Sequence, residues 1–120
     1  MINVLICEDD PLLAYDLKQA VEAAGGHVVA VASCGQRAIS IASTLELDLA
    51  IIDLTLADGR TGADVAKFLS ERGCRIAVLS GDTSVVTELS SISHTFIPKP
   101  LPIELIARVL SSTFQPREIA

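Results

Sequence analysis

Five short stretches of apolar residues alternate along the chain with segments in which apolar residues recur every three or four positions. The short stretches are typical of buried strands, and they span residues 2–7, 28–32, 47–53, 75–80 and 95–97. The segments between them are typical of amphipathic helices. Because strands that alternate with helices usually form a parallel sheet with right-handed crossovers, the pattern predicts an α/β fold with helices on both faces of the sheet.

Polar residues mark where the helices are expected to begin. Asp10, Ser33 and Thr61 each stand at an N-cap position, and Ser33 is followed three residues later by glutamine, in the form of a capping box. The apolar spacing carries these three helices to about residues 24, 45 and 72, and it predicts a last helix over residues 101–113. Residues 83–91 are rich in serine, threonine and valine, so we expect only a short, marginal helix there.

The composition fits one globular domain and argues against several classes of function. The chain has 120 residues, half of them hydrophobic, and a formal net charge of −6. An acidic chain with three phenylalanines, one tyrosine and no tryptophan lacks both the basic surplus and the stacking aromatics of a general nucleic-acid binder. No apolar run approaches the roughly 18 residues that a membrane span needs.

The cysteines indicate a reducing compartment. Cys7, Cys34 and Cys74 are odd in number and far apart in the sequence, so they predict neither a disulfide framework nor a zinc site. They are typical of small core residues in a reducing cytoplasm. We therefore expect a cytoplasmic protein that binds neither nucleic acid nor a membrane.

Polar residues follow four of the five predicted strands, at the point where each strand ends. They are Glu8 and Asp9 after the first strand, Asp53 at the end of the third, Ser80 at the end of the fourth and Lys99 after the fifth. The carboxyl ends of parallel strands lie along one edge, where open α/β sheets bind their ligands. Crowded carboxylates repel one another unless a cation lies among them, and oxygen ligands suit Mg²⁺. A lysine and a hydroxyl beside them are the groups that bind a phosphoryl group.

Four sequence segments together resemble the receiver domain of bacterial two-component response regulators. They read Glu-Asp-Asp-Pro-Leu-Leu at residues 8–13, Asp-Leu-Ala-Ile-Ile-Asp-Leu at 48–54, Val-Leu-Ser-Gly at 78–81 and Phe-Ile-Pro-Lys-Pro-Leu at 96–101. The resemblance covers essentially the whole chain, in order. It implies the flavodoxin-like receiver fold, a five-stranded parallel sheet with strand order 2-1-3-4-5. It also implies one receiver domain over residues 1–120, of the single-domain type, with no output domain.

The resemblance implies a role for each acidic residue of the predicted edge. Asp53 matches the phosphoacceptor, which takes its phosphoryl group from a phosphohistidine on a histidine kinase or a histidine phosphotransfer protein. Glu8 and Asp9 match the acidic pair that binds the cofactor Mg²⁺ with Asp53, Asp9 directly and Glu8 through water. Thr55 matches the residue whose backbone carbonyl is a further ligand of the metal.

The resemblance also implies residues that respond to phosphorylation. Ser80 and Lys99 match the hydroxyl and the ammonium that contact the phosphoryl group, and Ser80 belongs to the switch. Phe96 matches the aromatic residue that changes rotamer on activation, although most family members have tyrosine there. Asp82 lies two residues beyond Ser80 and is expected to influence the attack of water on the aspartyl phosphate.

The loop after Asp53 departs from the commonest family pattern. Residues 54–62 lack the frequent Met-Pro pair and resemble instead a subset of single-domain regulators with an L-x-D-G-x-x-G loop. The metal-binding residues are intact, so the departure concerns the path of the loop. We expect a signalling domain that is not an enzyme, apart from assisting its own phosphorylation and dephosphorylation, and that acts on a downstream protein through protein contacts.

Two other functions remain open at this stage. Asp53-Leu54-Thr55 has the D-x-T form of phosphohydrolases with an aspartate nucleophile, but Thr55 stands where those enzymes usually have an acid, and the chain lacks room for a cap domain. The second alternative is a receiver-like protein-binding module that acts without phosphorylation. The complete set of polar edge residues argues against that module.

Overall fold

Five parallel strands form a single sheet in the computed structural model, which describes residues 1–81, 89–99 and 103–114. The strands are β1 (Asn3–Cys7), β2 (His27–Ala32), β3 (Leu49–Asp53), β4 (Arg75–Ser80) and β5 (Thr95–Pro98). Their order in the sheet is β2-β1-β3-β4-β5, which confirms the predicted order. Each strand begins and ends within two residues of its predicted bounds.

Within the described residues, four helices pack on the two faces of the sheet: α1 (Pro11–Ala23), α2 (Gly35–Ala42), α3 (Gly62–Glu71) and α4 (Ile103–Phe114). Side chains of α2 and α3 share one hydrophobic core with the sheet, and side chains of α1 and α4 share the other. No helix within the described parts of the chain is long and apolar enough to cross a membrane. Most of the predicted helix at residues 83–91 lies outside the described residues, and Leu89, Ser90 and Ser91 lie in a turn.

The central strand β3 ends in the carboxylate of Asp53. Every residue of β3 is buried, because β1 and β4 pair with its two edges and helices cover both faces. A continuous apolar strand of this kind is typical of parallel sheets. The strand therefore fixes Asp53 at the carboxyl edge with only 7% of its surface exposed.

The predicted cap of α1 is confirmed. Asp10 is the N-cap residue, and its Oδ1 accepts hydrogen bonds from the backbone N–H groups of Leu12, at 3.0 Å, and Leu13, at 3.4 Å. These contacts satisfy two of the donors that a helix leaves unpaired at its first turn.

The predicted capping box of α2 is wrong. The N-cap residue is Cys34, and it makes no side-chain cap hydrogen bond. The carboxylate of Asp58 takes that role from the loop after β3, because it accepts from the backbone N–H groups of Gly35 at 2.9 Å and Gln36 at 3.2 Å. An ionised carboxylate is a stronger acceptor at a helix N-terminus than a neutral serine hydroxyl such as that of Ser33.

Helix α2 is also shorter than the sequence pattern predicts. It ends at Ala42, and Leu45, which was expected on its apolar face, is 42% exposed. The hydroxyls of Ser43 and Thr44 donate to the backbone carbonyls three residues earlier. Such local side-chain bonds compete with continuation of a helix.

Helix α3 begins at the predicted residue, but the Thr61 side chain does not make the capping contact that was expected. Thr61 is the N-cap residue, yet its side chain makes no cap hydrogen bond within the helix. Its hydroxyl donates instead to Oδ1 of Asp58 at 2.6 Å. The same aspartate therefore contacts the beginnings of two helices.

Gly62 brings α3 into direct contact with the end of β3. Its backbone N–H donates to the carbonyl of Leu54 at 3.0 Å. A Cβ atom at this position would overlap the carbonyl oxygen of Asp53 and lie 2.5 Å from the Cα of Leu54. Both are backbone atoms, which cannot rotate away.

We therefore expect Gly62→Ala to lower the free energy of unfolding by about 2–4 kcal/mol, because the overlap forces the backbone of the loop to move. Urea denaturation monitored by circular dichroism measures this loss. The matched control is Gly81→Ala, since a Cβ there would lie 4.0 Å from the Cβ of Lys99, an ordinary contact. The control should change the free energy of unfolding by less than about 1 kcal/mol. Equal effects of the two substitutions would contradict the close approach.

Candidate functional site

Three carboxylates meet at the carboxyl edge of the sheet. Glu8 follows β1 and is 2% exposed, Asp9 is exposed, and Asp53 ends β3. One carboxylate oxygen from each residue lies within 4.8 Å of the others, a grouping that can hold a metal ion. The structure thus brings together the three acidic residues that the sequence placed at this edge.

Lys99 supplies a positive charge to the same edge. Its Nζ lies 2.6 Å from Oδ2 of Asp53 and 3.5 Å from Oε1 of Glu8. Partial burial lowers the pKa of Lys99, but the hydrogen bond and charge of Asp53, together with the charge of Glu8, outweigh it and raise the pKa above its usual value. Lys99 therefore stays cationic at neutral pH.

Glu8 is held in a polar but incompletely satisfied environment. Its Oε2 accepts a hydrogen bond from the backbone N–H of Asp10 at 3.0 Å, whereas Oε1 is buried and has no hydrogen-bond partner among the described residues. Burial, followed by the charge of Asp53, raises the pKa of Glu8 from 4.5 to about 7, although the Asp10 N–H and Lys99 oppose the rise. Within the described part of the chain, the one charged contact of Oε1 is the Lys99 ammonium at 3.5 Å, beyond a good hydrogen-bond distance, and a metal cation among the three carboxylates would give this buried oxygen a closer partner. The donor set, made of oxygens alone, fits Mg²⁺.

Both carboxylate oxygens of Asp53 are oriented by protein groups. Oδ1 accepts a hydrogen bond from the backbone N–H of Thr55 at 3.0 Å, and Oδ2 accepts from Nζ of Lys99 at 2.6 Å. The Thr55 contact turns the chain directly after β3. The side chain of Thr55 is exposed, and its Oγ1 lies 3.4 Å from Nη1 of Arg60.

Ser80 and Phe96 lie on the strands beside Asp53. Ser80 ends β4 and is 8% exposed, and its backbone carbonyl accepts a hydrogen bond from the N–H of Lys99 at 3.1 Å. Phe96 lies on β5, an edge strand, where it pairs with Val78 and its side chain is 36% exposed. The predicted role of Asp82 concerns a residue outside the described part of the chain.

Asp58 is the residue of this region whose contacts the sequence reasoning missed. The Asp-Gly pair at residues 58–59 is a turn signal, and Leu56 and Gly59 indeed pair across a tight turn. No spacing in the sequence, however, connects Asp58 to the start of α2, 23 residues earlier.

Comparison with known proteins gives consistent results at the levels of sequence and fold. Residues 4–111 match the family model described as the response regulator receiver domain. The phyllosphere-induced regulator PhyR of Methylorubrum extorquens is 42% identical over 68 residues, which are 56% of this chain and 26% of PhyR. The chain therefore spans about a quarter of the length of that relative.

Solved structures of receiver domains have the same fold. The receiver domain of Francisella response regulator 1452 has a TM-score of 0.80 and 28% identity, with 94% of this chain and 97% of that chain covered. The receiver domain of Erythrobacter litoralis PhyR has a TM-score of 0.84 and 22% identity, with 99% and 95% covered, and at that identity it supports the fold alone. The match over residues 4–111, on this fold, shows that the chain belongs to the response regulator receiver domains, the signalling domains of two-component systems.

Proposed function

We propose that this receiver domain accepts a phosphoryl group on Asp53 from the phosphohistidine of a histidine kinase or a histidine phosphotransfer protein, with Mg²⁺ as its cofactor. The observation that carries the proposal is the environment of the Asp53 carboxylate. Oδ2 contacts the Lys99 ammonium at 2.6 Å, and two further carboxylates lie within 4.8 Å. This combination of a fixed carboxylate, a cation and a metal-binding set is suited to phosphoryl transfer.

The Asp53 carboxylate acts as the nucleophile without the help of a base, since an ionised carboxylate has no proton to lose. One of its oxygens forms a bond to phosphorus while the bond between phosphorus and the donor imidazole nitrogen breaks, and the imidazole leaves with the electron pair. The two hydrogen bonds to Asp53 hold the carboxylate in place. They leave lone pairs for the attack, because a carboxylate offers about four acceptor positions.

Glu8, Asp9, Asp53 and the backbone carbonyl of Thr55 would hold Mg²⁺ in this proposal. When bound, Mg²⁺ neutralises negative charge on the phosphoryl oxygens. The buried Oε1 of Glu8, which has no hydrogen-bond partner in the described part of the chain, supports a cation at this position. The crowding of three carboxylates supports it as well.

Phosphorylation would replace the single negative charge of the Asp53 carboxylate with a phosphoryl group that carries roughly 1.5 to 2 negative charges beside Ser80 and Lys99. Both side chains are proposed to contact the new oxygens, and Phe96 is proposed to turn inward from its exposed position on β5. Asp82 is proposed to modulate hydrolysis of the aspartyl phosphate. The altered surface would then be recognised by a downstream protein, so the domain signals through contacts and catalyses no reaction on another molecule.

A cytoplasmic location is part of the same proposal. Cys7, Cys34 and Cys74 form no disulfide, which is the usual state of cysteines in a reducing compartment. A phosphohistidine donor on the same side of the membrane is required for direct transfer to Asp53.

Asp53→Asn should abolish phosphorylation by acetyl phosphate in the presence of Mg²⁺, because the amide cannot form the acyl phosphate. Intact-mass spectrometry detects the added phosphoryl group. The matched control is Asp64→Asn, an acidic residue in the first turn of α3, which should be phosphorylated like the wild type. Chelation of Mg²⁺ should prevent phosphorylation of the wild type. Uptake by Asp53→Asn would refute the assignment.

The raised pKa of Glu8 predicts how the stability of the metal-free protein changes with pH. Protonated Glu8 is favoured in the folded state, so its stabilising contribution is complete below its usual pKa of 4.5 and is lost as the pH rises through about 7. The free energy of unfolding should therefore fall by about 1–3 kcal/mol across this range. Urea denaturation in chelator at a series of pH values measures the slope.

Glu8→Gln should flatten this pH profile, because its amide does not titrate. Glu22→Gln, at an exposed position of α1, should keep the wild-type profile. Addition of Mg²⁺ above neutral pH should stabilise the wild type more than Glu8→Gln. Parallel profiles for the wild type and Glu8→Gln would contradict the account of Glu8.

A further inference from the structure

We propose that Asp58 is a positioning residue for the Mg²⁺ site: it clamps the loop after β3 to the start of α2 and thereby fixes the direction of the Thr55 carbonyl. This inference rests on the proposed function, since Thr55 is there a ligand of the metal. Asp58 itself lies on the exposed side of the loop and is not part of the three-carboxylate group.

The contacts of Asp58 define the clamp. Its Oδ1 accepts from the backbone N–H of Gly35 at 2.9 Å and from the Thr61 hydroxyl at 2.6 Å, and its Oδ2 accepts from the backbone N–H of Gln36 at 3.2 Å. The Thr61 hydroxyl, followed by the Gly35 N–H, lowers the pKa of Asp58 below its usual value. The carboxylate is therefore ionised at neutral pH and faces the positive end of α2.

The backbone of the loop adds to the clamp. The N–H of Ala57 donates to the carbonyl of Ser33 at 2.9 Å. Ala57 therefore binds the chain just before α2, while its neighbour Asp58 binds the first two residues of the helix. A Cβ atom on Gly35 would lie 2.5 Å from Oγ1 and 2.7 Å from Cβ of Thr61. Gly35 thus lets the first turn of α2 lie directly against Thr61, and any larger residue would separate them.

Asp58 is presented to α2 by a tight turn. The N–H of Leu56 donates to the carbonyl of Gly59 at 2.7 Å, and the N–H of Gly59 donates back to the carbonyl of Leu56 at 3.0 Å. Gly59 has φ of +104°, a conformation that other residues rarely adopt. Asp58 lies within this four-residue turn, so holding its side chain also holds the turn.

The turn determines where the Thr55 carbonyl points. The carbonyl of Thr55 and the N–H of Leu56 belong to one peptide group, which is planar and trans, so they point in opposite directions. Because the Leu56 N–H is directed at the Gly59 carbonyl, the Thr55 carbonyl is directed away from the turn. A loosened turn would let this peptide group rotate and would misdirect the carbonyl.

Hydrophobic anchoring is the competing explanation for the position of Thr55. Leu54 and Leu56 flank it and are 1% and 3% exposed, so they hold the chain on both sides. They fix the positions of the neighbouring side chains, whereas the rotation of the peptide group depends on the hydrogen bonds of the turn. The effect of removing the Asp58 carboxylate separates these two explanations.

The test compares Asp58→Ala with Asp48→Ala in the full chain. Asp48 is a matched control because it is also exposed, and its Oδ2 accepts a backbone hydrogen bond, from the N–H of Asn3 at 2.8 Å, just before β3 begins. Calorimetric titration measures the Kd for Mg²⁺, and circular dichroism verifies the fold. The rate of phosphorylation by acetyl phosphate is measured as a function of Mg²⁺ concentration.

We expect Asp58→Ala to raise the Kd for Mg²⁺ about tenfold, as is typical for residues that orient metal ligands. Its phosphorylation rate at saturating Mg²⁺ should stay within about twofold of the wild type, because Asp53 and Lys99 are unchanged. Asp48→Ala should keep the wild-type Kd. Asp58→Asn retains an oxygen for the Gly35 N–H, and its Kd should lie between those of the wild type and Asp58→Ala.

A Kd of Asp58→Ala within about twofold of the wild type would overturn the inference and favour hydrophobic anchoring. An equal rise in the Kd of Asp48→Ala would also overturn the inference, since a general loss of stability would then explain the weaker binding of both variants. If Asp58→Ala does not fold, Thr61→Val removes one contact of the clamp instead. An unchanged Kd for Mg²⁺ in Thr61→Val would also contradict the inference. Failure of the wild type to bind Mg²⁺ would instead overturn the proposed function, on which the inference rests.

Discussion

Repulsion among three carboxylates is the constraint on which the carboxyl edge of this domain depends. Glu8, Asp9 and Asp53 lie close enough to share a cation, and two of them are buried. The Lys99 ammonium offsets part of their charge and holds Asp53 most closely. Burial, followed by the charge of Asp53, raises the pKa of Glu8, and one of its buried oxygens accepts no hydrogen bond from the described part of the chain.

The hydrophobic cores make this arrangement possible. Strands β1 and β3 are buried between helices on both faces, so they bring Glu8 and Asp53 to fixed positions despite the repulsion. Repulsion between the carboxylates favours moving them apart. Burial of the apolar strand residues stabilises the strands that carry them and opposes this repulsion. A site with excess negative charge and fixed geometry is prepared for a cation and, through it, for the oxygens of a phosphoryl group.

The loop after β3 connects this edge to the body of the fold. Gly62 packs against the backbone of Asp53, while Asp58 and Ala57 bind the start of α2. These contacts hold the backbone of the loop at several points, even though several of its side chains are exposed. Contacts with the starts of α2 and α3 thus hold the short stretch that contains Thr55.

The sequence predicted the strands and the acidic edge well, because both follow from local patterns. The run that ends at Asp53 is apolar and short, and the polar residues that end parallel strands must share an edge. The strand order came from the family resemblance. The cap of α2 was missed because it depends on a contact between Asp58 and Gly35, which lie far apart in the sequence.

Other features depend on tertiary structure in the same way. The end of α2 is decided by hydroxyl contacts rather than by apolar spacing, and the exposure of Phe96 reflects the edge position of β5. The pKa of Glu8 depends on burial and on charges brought together by folding. Neither propensity nor periodicity carries this information.

The central claim, that Asp53 receives the phosphoryl group, is tested most directly by locating the modified side chain. Borohydride reduces an acyl phosphate to an alcohol but leaves free carboxylates unchanged, so it converts a phosphorylated aspartate to homoserine. After phosphorylation, reduction and peptide mass spectrometry, homoserine should be found at position 53 alone. A reduced side chain at Glu8, Asp9 or any other acidic residue, in place of position 53, would contradict the account.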